Sequence, residues 1–123
     1  MREVKPTADV DPVASGLSDV RRGTRVACEI RVILTSLDLR YPFSEQVLVI
    51  LVNPHGCAVR CGKPLVVGTP VTFEGLPANR NVTARVVNCI GFGDYDRFWL
   101  LGLSLDEPGN VWGVEPPPSD WSS

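Results

Sequence analysis

The stretch running from Arg25 to Leu34 constrains the fold most. Val26, Cys28, Ile30, Val32 and Leu34 alternate with Arg25, Ala27, Glu29 and Arg31. A period of two with one mostly polar face is the pattern of a half-buried β-strand, because successive side chains of an extended chain point to opposite sides. The pattern returns twice. Val82, Ala84, Val86 and Asn88 alternate with Thr83, Arg85 and Val87, and Phe98, Leu100, Gly102 and Ser104 alternate with Trp99, Leu101 and Leu103. Gln46 to Val52 is apolar on both faces, which predicts a strand covered on both sides. Cys57 to Cys61 and the segment starting at Val71 read as shorter strands. Turn residues separate them: Asn53-Pro54-His55-Gly56, Gly62-Lys63-Pro64, and the loops Ser36 to Phe43, Leu76 to Asn81 and Gly91 to Asp96. Eleven glycines and eleven prolines in 123 residues suit many turns and oppose a helical bundle. The expectation is an all-β fold, a small antiparallel β-barrel of about six strands, closed so that no sheet edge is left exposed.

One core is all that a chain of this length supports. Residues 1–20 are polar and without sustained period, and are expected to form a flexible N-terminal arm. Residues 21–115 hold the barrel. Residues 116–123 form a Pro/Trp-rich C-terminal tail, and the stretch after Glu107 is expected to pack back on the barrel, with Trp112 more buried than Trp121. The formal net charge of −2 argues against a nucleic-acid-coating protein, which draws its affinity from excess positive charge. The longest apolar run, Val47 to Val52, is far short of the roughly 20 residues of a membrane span, so no membrane insertion is expected. The first residues, MREVKPTADVDP, carry no apolar signal core, and a cytoplasmic location is expected.

Catalytic chemistry finds little support. There is a single histidine, His55, in a turn, and no nucleophile elbow; Asp94 and Asp96 share a polar loop and read as solvated surface. The chain is therefore not expected to be an enzyme. Four cysteines stand at 28, 57, 61 and 89 and read as free, core-packed thiols. His55, Cys57 and Cys61 lie within seven residues and leave a small metal site as the least favoured alternative, since Cys57 and Cys61 share one strand face with Val59. The feature with most chemical content is Arg21-Arg22-Gly23-Thr24-Arg25, directly before the first strand. Guanidinium groups offer planar forks that bind phosphate oxygens in pairs, reach guanine edges and stack on bases. The same cluster also reads as a solubilising basic turn.

The segments downstream of the cluster give it meaning. Arg21-x-x-x-Arg25, a strand, a loop, a second strand and then Asn53-Pro54-His55-Gly56-Cys57-Ala58 resembles the PilZ domain family, in which an RxxxR motif precedes the first strand and a [D/N]xSxxG motif ends the second. Gly68-Thr69-Pro70-Val71, Val82 to Val87 and Leu101-Gly102-Leu103-Ser104-Leu105 resemble later strands of that family. The ending, Gly109 to Trp112 and Pro117 to Trp121, is similar to that of small stand-alone bacterial members. The resemblance covers Arg21 to Trp121. It implies a small β-barrel that binds the bacterial second messenger cyclic di-GMP and signals through a partner protein.

By that resemblance Arg21 and Arg25 grip phosphates and guanine edges, Arg22 adds charge, and Asn53, His55 and Ala58 belong to the segment that cradles guanine and ribose. No cofactor other than this ligand is implied. Two positions depart from the pattern: His55 replaces the serine and Ala58 replaces the glycine. A Cβ at the glycine position crowds a ligand that approaches the backbone, which implies weakened affinity. The alternative is a degenerate barrel that binds no nucleotide and serves as a protein-interaction module.

Overall fold

The computed structural model describes residues 23–77 and 81–121. The expected arm at residues 1–20 lies outside them, as do Arg21 and Arg22.

Six strands form one antiparallel sheet: β1 (Val26–Ser36), β2 (Ser44–Asn53), β3 (Gly56–Cys61), β4 (Pro70–Glu74), β5 (Val82–Phe92) and β6 (Phe98–Leu105). Their spatial order is β1-β2-β3-β6-β5-β4, and β4 pairs back onto β1 to close a barrel. Among the described residues, helix is confined to short 3₁₀ turns at Asp94–Asp96 and Ser119–Trp121. Among the described residues, no helix is long and apolar enough to cross a membrane.

The alternation read from the sequence explains the core. Val32 and Leu34 of β1, Val47, Val49 and Val52 of β2, Val59 of β3, Val71 and Phe73 of β4, Ala84 and Val86 of β5, and Leu101, Leu103 and Leu105 of β6 all point inward and are buried. β-Branched side chains dominate this list because their restricted rotamers pack well on a pleated surface.

Departures from simple alternation fall where the register slips. β1 carries an extra residue against β2 between Ala27 and Ile30, β2 carries Ile50 as an extra residue against β3, and β5 carries Val87 as an extra residue against β6. A bulge inverts the faces of one strand relative to its partner. This corrects two sequence expectations. Asn88 does not share the face of Val82, Ala84 and Val86; beyond Val87 it is exposed, and Cys89 and Gly91 take the more protected face. The β2 run is not covered on both sides: Val47, Val49 and Val52 are buried, while Leu48 and Leu51 lie half-buried on the outer surface. The loop expected at Gly91 to Asp96 is also shorter, because β5 extends through Phe92.

The C-terminal tail packs on the barrel. Trp112 is 2% exposed and Trp121 9% exposed. The Trp112 ring meets Phe73 edge-on at 5.7 Å between centroids, and its indole N–H donates to the carbonyl of Asn53 at 2.8 Å. The tail thereby completes the core at the end of the barrel where β2 turns into β3.

Candidate functional site

The β2–β3 turn and the segment before β1 meet at this end of the barrel. Asn53 is the joint. Its side-chain oxygen accepts from the backbone N–H groups of His55 (2.8 Å) and Gly56 (3.0 Å). This is the side-chain-to-backbone pattern that lets asparagine build a tight turn. Its Nδ2 donates to the carbonyl of Gly23 at 3.4 Å, tying the arginine segment to the hairpin. Asn53 therefore spends its polar atoms on architecture.

Gly23 shows why this position must be small. It is buried with φ 135°, and a Cβ there would stand 2.7 Å from Pro54 Cδ and 3.2 Å from the Trp121 ring. At Gly56, a Cβ would overlap the carbonyl oxygen of Leu103. The two glycines let three pieces of backbone converge. Pro54 adds a further tie, its carbonyl accepting from the N–H of Gly109 at 2.8 Å.

The tail closes over the same segment. Asp120 accepts from the backbone N–H of Thr24 at 3.0 and 3.1 Å, through its two oxygens, and from the Thr24 hydroxyl at 2.8 Å. The indole N–H of Trp121 donates to the Thr24 carbonyl at 2.6 Å. A carboxylate thus holds an N–H and an O–H inside the Arg21–Arg25 stretch, the kind of donor pair that phosphate oxygens also seek. Sequence reasoning missed Thr24 and Asp120. Neither belongs to a spaced motif, and only the nearby tryptophan marked the tail as packed.

Of the sequence-predicted site residues, Arg25 is exposed directly before β1. His55 is exposed on the hairpin turn, and its backbone carbonyl accepts from Leu105 N–H at 2.8 Å. Ala58 is half-buried on the outer face, paired with Leu51 of β2 and Gly102 of β6. Ala27 pairs with Leu51, so Ala27, Leu51, Ala58 and Gly102 form one row across four strands. Three of its four members carry a methyl group or less, giving a low floor on the outside of the barrel. Arg25 lies two residues before Ala27, on the same outward parity. The Asn88 side chain leans over Gly102, with Oδ1 2.6 Å from where a Cβ would stand.

The thiols face elsewhere. All four cysteines are free. Cys28 is half-buried with its Sγ 3.6 Å from the Val49 carbonyl; burial, aided by the neighbouring Glu29 charge, pushes its pKa up to about 11. Burial, with a smaller contribution from Cys28, also raises Cys57, and burial raises Cys61. Cys61 is buried, with its Sγ 3.0 Å from the Lys63 carbonyl, whereas His55 is exposed on the turn. Among the described residues, no three His, Cys, Asp or Glu side chains gather as metal ligands do.

A shallow polar cleft of about 170 Å³ lies between Asn81, Thr83, Asp106, Glu107 and Val111. Enclosed ligand pockets usually span about 300–1,000 Å³. It contains none of the motif residues. A scan against protein-family models and a search of curated proteins returned no match to this chain.

Proposed function

We propose that the barrel is a non-enzymatic, cytoplasmic sensor of the PilZ type that binds cyclic di-GMP and signals through a partner protein. The observation that carries the reading is the Asn53–Gly23 contact at 3.4 Å, which sets the arginine segment against the hairpin that holds the second motif. Arg25 supplies charge for phosphates and guanine edges, with Arg21 and Arg22 contributing from the adjoining residues. Ala58 and Gly102 are the low part of this outer row, bordered by Leu51 and Asn88, and offer room for a planar base. His55, on the exposed turn, replaces a hydroxyl with an imidazole that donates or accepts. Asp120 competes with a phosphate for Thr24, so occupancy by ligand releases the tail and changes the surface offered to the partner.

That same Asp120 contact favours a second reading. The polar groups of Thr24 are already satisfied from within the chain, as in a protein-interaction module that has abandoned the nucleotide. Titration calorimetry with cyclic di-GMP, with GTP and GMP as controls, separates the two. In the sensor, Arg25→Ala weakens binding by about 1.5–3 kcal/mol, the scale of a charge-assisted hydrogen-bond set. Arg40→Ala leaves binding unchanged, since Arg40 is engaged with Asp38 at 2.8 Å. His55→Ser with Ala58→Gly tightens binding by about 1–2 kcal/mol, one hydrogen bond and one relieved contact. No binding by either form, with the fold intact, leaves the interaction module.

A further inference from the structure

Apart from Asn88, the outer face from Val87 onward on β5 and over Phe98 and Leu100 on β6 is apolar where a solvent-facing sheet is ordinarily polar. Val87 is 51% exposed, Ile90 56%, Phe92 38% and Phe98 43%. These side chains are neighbours: Ile90 pairs with Leu100, and Phe92 pairs with Phe98, their rings stacked at 5.7 Å. Arg60 of β3 lies over the Phe98 ring at 5.4 Å from its centroid. The five-residue loop joining Phe92 to Phe98 carries Tyr95, which is 97% exposed and has φ 61°. A bulky residue rarely adopts this left-handed backbone, and here it leaves an aromatic ring exposed on the loop that borders the patch.

From this arrangement we infer that the β5–β6 face is a self-association surface, its occupant a second copy of this chain in a two-fold dimer. Two arguments select the second copy. The first is area. With these exposures, and about 150–250 Å² per aromatic side chain, the face presents on the order of 500 Å² of apolar surface. A standard interface buries about 800 Å² per partner and is roughly 56–65% non-polar, so the patch matches the apolar share of one such interface. The second is charge. The connecting loop holds Asp94, Asp96 and Arg97, and among the described residues neither Asp94 nor Arg97 has an ion-pair partner. A two-fold contact brings residue i of one copy to residue j of the other, so a rim carrying both signs in one loop is complementary to itself. A nucleic acid would instead be opposed by Asp94 and by the net charge of −2. The inference stands apart from the nucleotide reading, because the patch includes none of the residues assigned to ligand.

Sedimentation velocity on the full chain, from about 5 to about 500 μM, tests it. The expected result is a concentration-dependent dimer at moderate salt. Phe98→Glu, an outward substitution that leaves the core untouched, raises the dimer dissociation constant at least about tenfold, the scale expected when an apolar anchor is replaced by a charge. Asp94→Arg and Arg97→Asp each weaken the dimer, and combining them restores it, a rescue that a merely disrupted fold does not give. A monomer throughout the range overturns the inference. So does a dimer indifferent to Phe98→Glu, which places the contact elsewhere.

Discussion

Replacing Trp112 with alanine tests whether the tail is part of the core or a covering laid over it. The side chain is 2% exposed, meets Phe73 edge-on at 5.7 Å and donates to the Asn53 carbonyl at 2.8 Å. Removing a buried tryptophan costs about 3–5 kcal/mol in transfer and cavity terms, of which the aromatic pair is about 0.5–1.5. Losing the hydrogen bond adds about 1 kcal/mol. The sum, about 4–6 kcal/mol, is a large part of the about 5–15 kcal/mol by which a domain of this size is stable. The assay is urea unfolding followed by the fluorescence of the remaining tryptophans, Trp99 and Trp121. The expected result is a lower midpoint with an unchanged slope, since compactness is retained. Trp112→Phe keeps the ring and loses only the donor, so it falls in between, about 1–2 kcal/mol below wild type. A cost below about 1.5 kcal/mol for Trp112→Ala refutes the reasoning, because no well-packed tryptophan is removed so cheaply.

Gly56→Ala forces a Cβ into the Leu103 carbonyl and is expected to cost at least about 2 kcal/mol, whereas Gly109→Ala, which meets nothing within 4 Å, stays within about 0.5 kcal/mol; thermal melts compare them. Cys28 holds its proton in the fold to about pH 11, against about 8.5–9 when unfolded, so its contribution to stability is complete below about pH 9 and is lost as pH rises through about 11. The Cys28→Ala variant, measured by denaturant midpoint across that window, loses part of this alkaline decline. Asp120→Ala removes an anion from the N–H and hydroxyl of Thr24; if the barrel is the proposed sensor, calorimetry shows cyclic di-GMP affinity raised about three- to tenfold, with about 1 kcal/mol lost in stability. Unchanged affinity would show that the carboxylate does not compete for the ligand's place.

The fold was legible because alternation is a direct record of which face is buried. Phe98 to Leu105 keeps its faces from end to end, Val26 to Leu34 keeps its burial alternation even across the bulge against β2, and both strands stand where the pattern puts them. What alternation does not record is a bulge. Nothing in Val86-Val87-Asn88 announces an extra residue, since either valine can fill the inward position. The inversion at Asn88, and the apolar outer face beyond it, therefore emerge only from pairing with β6. The candidate site was legible in its spaced parts, Arg25 and Asn53, because turn chemistry and charge are local properties. Asp120 was not, because its role depends on Thr24, 96 residues away in sequence.

That separation also bears on how the molecule is made. A polypeptide emerges from the ribosome N-terminus first, and contacts between distant residues wait for the later partner to be synthesised. β1 finds β2 early, yet it pairs with β4 only after a further stretch of chain, and Thr24 gains Asp120 and Trp121 later still. Through most of synthesis Thr24 is bare, its N–H and hydroxyl open to whatever polyanions the nascent chain encounters. The carboxylate that finally covers it acts, in this light, as a guard that arrives once the barrel is complete.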